Sequence, residues 1–168
     1  MLAECGATPV LVRTPEDLAG VSSLCIPGGE STTIGKLARD HGLVDPIRDQ
    51  AAEGMPIFGT CAGMIVLARR VEGGEPVLSL LDVTVQRNAY GRQVDSFEAD
   101  VEVRGIGPVR AVFIRAPQVE SVGTDVEVLA EHGGAPVVVR QGRIIGAAFH
   151  PEMAGDPRLH EHLLRLSG

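Results

Sequence analysis

Short apolar runs alternate with amphipathic stretches along the first half of the chain. The apolar runs predict buried strands at residues 8–13, 23–26 and 55–58. The stretches that follow them have polar or proline starts and often glycine ends, which are typical of helices. They predict helices at residues 14–20, 31–42, 43–53 and 62–71. Strands that alternate with helices indicate a parallel sheet with helices packed over its faces.

The pattern changes between residues 82 and 149, where apolar and polar positions alternate over short segments separated by turns. These segments predict strands at residues 82–86, 96–103, 109–114, 125–132, 135–142 and 143–149. The sequence RQGR at 140–143 indicates a hairpin turn, and residues 156–168 predict a final amphipathic helix. We therefore expect residues 1–168 to form a single three-layer α/β/α domain, with a mixed sheet that is partly antiparallel in its second half.

Charge and composition exclude several classes of protein. The net charge of −7 argues against nucleic acid as a partner, and no apolar run has the roughly 18 residues that a membrane span needs. The first residues do not resemble a signal peptide, because Glu4 stands where basic residues are expected. The three cysteines form no CxxC pair, which favours a reducing cytoplasm over a disulfide scaffold. His160 and His162 should face different ways on the last helix and make a poor metal pair.

The first candidate site is the segment GTCAG, which joins a predicted strand to a predicted helix. Cys61 lies between two glycines at this turn, in the layout of a nucleophile elbow with cysteine in place of serine. The start of the following helix favours a thiolate, and the N–H of Ala62 is placed to bind a developing oxyanion. The alternative is a small buried cysteine without chemical function, since free cysteine is among the most buried residue types.

The second candidate site is FHPE, which closes the predicted strand 143–149. Pro151 keeps His150 extended, so His150 and Glu152 should share a face. A carboxylate beside an imidazole fixes its tautomer and orients it, as in a Cys-His-acid triad. The alternative is a histidine in a turn, beside a solvated glutamate.

The third candidate site is the loop CIPGGESTTIG at residues 25–35. It fails the pattern of a phosphate-binding loop, because Glu30 and Leu37 stand where glycine and Ser or Thr are required. A glycine pair between a strand and a helix can instead turn backbone N–H groups toward a carboxylate or an oxyanion. The alternative is a tight turn capped by Ser31. Together the three loops supply the groups that acyl transfer requires.

These motifs carry a resemblance to a known family. GTCAG followed by FHPE resembles the triad of class I glutamine amidotransferases, which have a flavodoxin-like α/β/α fold. LCIPGGESTTIGKL, QRNAYGRQVDSFEADV and VFIRAP are similar to segments of the glutaminase subunits of pyridoxal 5′-phosphate synthases, and the resemblance runs from residue 1 to 166. Family members begin with one more strand, which this chain is expected to lack.

The resemblance implies a role for each matching residue. Cys61 would be the nucleophile, and His150 and Glu152 would complete the triad. The implied glutamine contacts are Gly29, Glu30, Ser31, Arg87, Ile114 and Arg115. The implied oxyanion donors are Gly28, Gly29 and Ala62.

The resemblance also implies partners. Glutamine hydrolysis would need no metal and no organic cofactor. The ammonia would pass to a lyase subunit, a (β/α)₈ barrel that assembles pyridoxal 5′-phosphate. Three alternatives stay open on sequence alone: the glutaminase subunit of another synthase, such as the imidazole glycerol phosphate one; a catalytically silent regulatory module; and a cysteine peptidase or redox-sensing protein of similar architecture.

Overall fold

The computed structural model describes residues 1–87 and 96–168. Its helices are α1 (Pro15–Leu18), α2 (Ser31–Asp40), α3 (Val44–Ala52), α4 (Ala62–Leu67) and α5 (Arg158–Ser167). Its strands are β1 (Leu24–Ile26), β2 (Ile57–Thr60), β3 (Ala68–Glu72), β4 (Leu81–Gln86), β5 (Phe97–Val103), β6 (Gly107–Phe113), β7 (Gln118–Val122), β8 (Glu127–His132), β9 (Ala135–Gln141) and β10 (Ile144–Ala147). A 3₁₀ turn, Pro151–Ala154, lies between β10 and α5.

The central sheet has five strands in the order β1-β2-β10-β9-β8. β1, β2 and β10 are parallel, whereas β9 pairs antiparallel with both β10 and β8. The pairs Ile26 with Gly59 and Ala147 with Thr60 place the carboxyl ends of the three parallel strands at one edge. Smaller sheets are formed by β3-β4-β7 and by β5-β6. The predicted mixed sheet and the hairpin at 140–143 are confirmed.

The two faces of β2 pack against different helices. Phe58 points toward α5, where its ring meets His160 edge-on with 5.3 Å between centroids. Gly59 points the other way, toward α4, and a Cβ at this position would lie 2.5 Å from the carbonyl carbon of Gly63. Since neighbouring residues of a strand face opposite sides, helices cover both faces of the sheet. This is the predicted α/β/α arrangement.

Residues 8–13 do not form the predicted strand. Val10 and Leu11 are 58% and 75% exposed, and in the described part of the chain no strand pairs with this segment. An apolar run becomes a strand only where a neighbour satisfies its backbone N–H and C=O groups, which its own pattern does not guarantee.

Two further elements differ from the sequence-based expectations. The helix predicted at 62–71 ends at Leu67, because Ala68 is extended and begins β3, which pairs in parallel with β4. β7 was not predicted from the sequence, since three of its five residues are polar. Among the described residues, no helix has the length and apolar content needed to cross a membrane.

Candidate active site

Cys61 occupies a strained turn between β2 and α4. Its φ is 49° and its ψ −104°, a conformation that residues with a side chain rarely adopt. The backbone N–H of Cys61 donates to the Ala147 carbonyl at 2.8 Å, which fixes the turn to the end of β10. Gly63 makes room for the turn, because a Cβ there would lie 2.0 Å from the Ile26 carbonyl oxygen. This is the elbow geometry that GTCAG predicts.

His150 and Glu152 meet just beyond the end of β10. The Nδ1 of His150 and the Oε1 of Glu152 are 2.9 Å apart, and the His150 backbone N–H donates to the Val112 carbonyl at 2.9 Å. The structure therefore brings the two side chains together, as their spacing predicts. The Thr60 hydroxyl also donates to Oε1 of Glu152, at 3.4 Å. Sequence reasoning missed Thr60, whose only signal is its position directly before the cysteine.

The pKa values of His150 and Glu152 are both shifted by their neighbours in the site. Interaction with Cys61, and then with Glu152, raises the pKa of His150 to about 10, although burial acts in the opposite direction. Burial is the largest influence on the pKa of Glu152 and acts to raise it, but the hydrogen bond to His150, a backbone hydrogen bond and the nearby histidines together leave that pKa below its usual value. His150 is thus held as an imidazolium between a sulfur and a carboxylate.

The loop after β1 packs directly against the imidazole. A Cβ at Gly28 would lie 2.2 Å from Cε1 of His150, so only glycine fits beside the ring. Gly29 has a φ of 147°, which also favours glycine. Because Ile26 contacts Gly63, this loop and Ala62 lie on adjoining sides of the elbow. The residues predicted as oxyanion donors are therefore near one another.

The start of α2 is organised by Glu30 rather than by Ser31. The Glu30 carboxylate accepts hydrogen bonds from the backbone N–H groups of Thr32 and Thr33 at 3.1 and 2.6 Å. The hydroxyl of Thr33 and these N–H groups lower the pKa of Glu30 to about 2. Arg87 reaches the same point, with Nη2 3.3 Å from Oε1 of Glu30 and 3.0 Å from Oγ1 of Thr32. Ser31 is buried beside them.

Ile114 and Arg115 directly follow β6, which brings the Ile114 carbonyl beside the cysteine. The Sγ of Cys61 is 3.8 Å from the Ile114 carbonyl oxygen, and Arg115 has a φ of 45° with an exposed side chain. All the predicted site residues are described by the structure. Most of the motif RNAYGRQ that follows Gln86 lies outside the described residues.

The other cysteines have different surroundings. Burial, with a contribution from Glu152, raises the pKa of the Cys25 thiol to about 12, so this thiol stays protonated and is a poor nucleophile. Cys5 is half-buried, and burial raises its pKa as well. Among the described residues, no three His, Cys, Asp or Glu side chains are grouped as metal ligands.

Comparison with solved structures identifies the fold. A crystal structure of a glutamine amidotransferase superposes with a TM-score of 0.95 at 50% identity, covering 99% of this chain and 90% of that chain. A chain in the structure of PurLQS from Thermotoga maritima has a TM-score of 0.64 at 18% identity, covering 85% and 79% of the two chains. The second likeness shows the fold alone.

Comparison with curated sequences identifies the family. The pyridoxal 5′-phosphate synthase subunit PdxT of Pelotomaculum thermopropionicum is 55% identical over 98% of this chain and 85% of its own length. The corresponding subunit of Thermus thermophilus is 54% identical over 94% of this chain and 84% of its own length. The profile of the SNO glutamine amidotransferase family matches residues 1–167. The chain belongs to the SNO glutamine amidotransferase family.

Proposed function

We propose that the chain hydrolyses the side-chain amide of L-glutamine as the glutaminase subunit of a pyridoxal 5′-phosphate synthase. The observation that carries this proposal is the alignment of Cys61, His150 and Glu152 at adjacent strand ends, with Nδ1 and Oε1 2.9 Å apart. Relatives that are 53–57% identical carry the name of that synthase subunit. The function predicted from the sequence agrees with this geometry and with the names of these relatives.

The first half of the reaction transfers the acyl group to the enzyme. The Cys61 thiolate attacks the side-chain amide carbon of glutamine, forming a C–S bond and a tetrahedral oxyanion. Backbone N–H groups of Gly28, Gly29 and Ala62 are the proposed donors to that oxyanion. The His150 imidazolium then gives its proton to the amide nitrogen, the C–N bond breaks, and ammonia leaves a thioester behind.

The second half releases glutamate. Neutral His150 takes a proton from water, and the resulting hydroxide attacks the thioester carbon. The C–S bond breaks, and the sulfur leaves as a thiolate beside the imidazolium. The released carboxylic acid ionises in solvent. Glu152 keeps Nδ1 of His150 protonated throughout, so that the ring exchanges its proton from the nitrogen that faces the sulfur. The net reaction consumes one glutamine and one water.

Binding of glutamine needs positive charge for its α-carboxylate. Arg87 is anchored by Glu30 at the start of α2, and Arg115 makes no ion pair within the described residues. We assign the charge to these two arginines, with Gly29, Ser31 and Ile114 shaping the pocket. The carboxylate of Glu30 provides a counter-charge near the α-ammonium group.

The ammonia is expected to pass to the synthase subunit. A synthase subunit that consumes nascent ammonia must dock near Cys61, because free ammonia would be protonated and diluted in water. We propose that this partner is the (β/α)₈-barrel lyase subunit, and that the glutaminase is weakly active until it docks.

Measuring glutamate release, with and without the lyase subunit of the same organism, tests this proposal. We expect release to depend on Cys61, to rise when the lyase subunit is added, and to place amide ¹⁵N from labelled glutamine in pyridoxal 5′-phosphate. Cys5→Ser is the matched control, since Cys5 lies outside the triad, and it should retain activity. No release in either condition, from folded protein, would overturn the enzyme assignment. Stimulation by an imidazole glycerol phosphate synthase subunit instead would overturn the choice of partner.

A further inference from the structure

Glu152 has one carboxylate oxygen that the triad does not use. His150 and Thr60 both contact Oε1 of Glu152, at 2.9 and 3.4 Å. Oε2 is buried, and within the described residues it has no hydrogen-bond partner. A buried, ionised oxygen without a donor is unfavourable, because nothing replaces the water that it has lost.

A buried histidine on α5 also has a polar atom that lacks a hydrogen-bond partner. His160 is 4% exposed, and its Nδ1 likewise has no partner in the part of the chain that the structure describes. Its ring packs edge-on against Phe58. The packing against Phe58 explains why the ring is buried, but it does not explain why Nδ1 is buried without a hydrogen-bond partner.

Strand β2 places the two side chains next to each other. His160 contacts Phe58, and Glu152 contacts Thr60. Phe58 and Thr60 are two residues apart, so they share one face of the strand at a spacing of about 7 Å. Glu152 and His160 also line the same groove of about 1090 Å³, whose other walls are the N-terminal segment, β1 and α5. Each group also shifts the pKa of the other, and a hydrogen bond between them needs one bridging water or a side-chain rotation.

We propose that His160 is a positioning residue for the triad, which holds the Oε2 side of the Glu152 carboxylate through an imidazole N–H. Two donors on opposite oxygens would fix the plane of the carboxylate, whereas Oε1 contacts alone leave it free to rotate. Glu152 in turn orients His150. His160 thus acts on the reaction through Glu152 and does not touch the substrate. This inference rests on the proposed glutaminase function.

The electrostatic surroundings of His160 are consistent with a neutral donor. Burial lowers the pKa of His160, so that the ring is neutral at physiological pH. Glu152 and Asp156 oppose that shift, while the amino group at Met1 adds to it. The ring therefore offers an N–H without adding a second positive charge beside the imidazolium of His150.

A pair of substitutions separates hydrogen bonding from packing. His160→Asn keeps an N–H donor near the Nδ1 position, and His160→Leu has a similar size but no donor. We expect His160→Leu to lower kcat for glutamine about 10- to 100-fold, the loss of a hydrogen bond to a charged group, with KM nearly unchanged. His160→Asn should recover most of that loss. The basic limb of the pH profile should shift to lower pH in His160→Leu, because a loosely held Glu152 supports the His150 imidazolium less well.

His162→Leu is the matched control on the same helix. His162 is also a partly buried histidine with a lowered pKa, but the charges that act on it are Arg165 and Arg140 rather than Glu152. We expect His162→Leu to keep the kcat and the pH profile of the unsubstituted protein. Equal losses in His160→Leu and His160→Asn, or an unmoved basic limb in His160→Leu, would show that His160 only packs against Phe58.

A measurement without catalysis separates this proposal from the glutaminase assignment. Histidine side-chain NMR of the full chain gives the pKa of His160 directly. We expect Glu152→Gln to lower the pKa of His160, because it removes the carboxylate that favours the charged ring. An unchanged pKa would overturn the proposed contact, even in an active enzyme. Absence of glutamate release from the unsubstituted chain would overturn the proposed function and leave this result standing.

Discussion

At the scale of single residues, the candidate site depends on glycines, which have no side chain, as much as on reactive side chains. Cys61 holds a φ of 49°, and Gly28 approaches the imidazole of His150 so closely that a Cβ would lie 2.2 Å from it. The reactive groups contribute charge, and the glycines allow them to approach one another. Substitutions at both kinds of residue should therefore lower activity strongly, for different reasons.

Gly28→Ala tests the close approach. The added methyl group must push the imidazole away from its position between Cys61 and Glu152. A displacement of about 1 Å in a catalytic group lowers turnover by roughly 100-fold, and we expect a loss of at least that size in glutamate release. Gly20→Ala is the control, because a Cβ at Gly20 meets nothing within 4 Å. Near-normal turnover in Gly28→Ala would contradict the packing described for this loop.

Glu152→Gln tests the electrostatic link at the same scale. The amide keeps the shape of the carboxylate but removes its charge, so we expect turnover to fall by about 100- to 10,000-fold without unfolding. The pKa of His150 is about 10, and the basic limb of kcat/KM should lie near that pH. In Glu152→Gln the limb should move to lower pH, since Glu152 raises the pKa of His150. A pH profile that does not move would argue against an imidazolium held by Glu152.

At the scale of elements, the site is built where parallel strands end together. β1 leads to Gly28 and Gly29, β2 to Cys61, and β10 to His150. Parallel pairing of these strands brings together loops that are far apart in sequence, as ligand sites in open α/β sheets generally are. The short helix α4 fits among them because Gly63 lets its backbone approach the end of β1.

Gly63→Ala tests the packing of α4 on β1. A Cβ at Gly63 would lie 2.0 Å from the Ile26 carbonyl oxygen, an atom that cannot move without disturbing β1. Overpacking of this kind costs about 1–3 kcal/mol, more than the helix gains from alanine. We expect the denaturant midpoint to fall, and glutamate release to fall further than stability alone explains. If Gly63→Ala were as stable as Gly20→Ala, α4 would not be packed this tightly.

At the scale of the whole molecule, the ionisable groups limit stability on both sides of neutral pH. The pKa values of His150 and Cys25 are raised above their usual 6.5 and 9.0, so the stability that they contribute is lost as pH rises toward 10 and 12. The pKa values of His160 and His162 are lowered below 6.5, so their contribution is lost as pH falls. Because the pKa of Glu30 is lowered, the chain loses further stability as pH falls from about 4.5 to 2.

The directions of these pKa shifts predict the pH dependence of unfolding. We expect the free energy of unfolding to be greatest near pH 6.5 and to decrease in both directions, as measured by urea titration at a series of pH values. In Cys25→Ala the decrease above pH 9 should be smaller, because the raised pKa of that thiol is removed. A stability that continues to increase from pH 6.5 to pH 10 would show that the pKa of His150 is not raised in the folded chain.

The sequence by itself determined the candidate reactive groups and the class of fold. The spacing within HPE and the glycines around Cys61 are local, and local backbone geometry decides how such residues point. The pattern of apolar positions predicted α2, α3, β1, β2 and the final helix, because apolar residues on a buried face recur at regular intervals in the sequence. The family motifs extended this prediction to the glutamine contacts.

Only the tertiary structure decided which elements are paired and what lies behind the triad. Residues 8–13 have the composition of a strand, but pairing depends on a neighbour that local sequence does not specify. The same is true of the end of α4 at Leu67, where β4 provides a partner for β3. Thr60 contacts Glu152 from a strand that lies 92 residues earlier in the chain, so no local spacing reveals it. Non-local contacts leave no periodic signal, and for this reason they had to be observed in the folded chain.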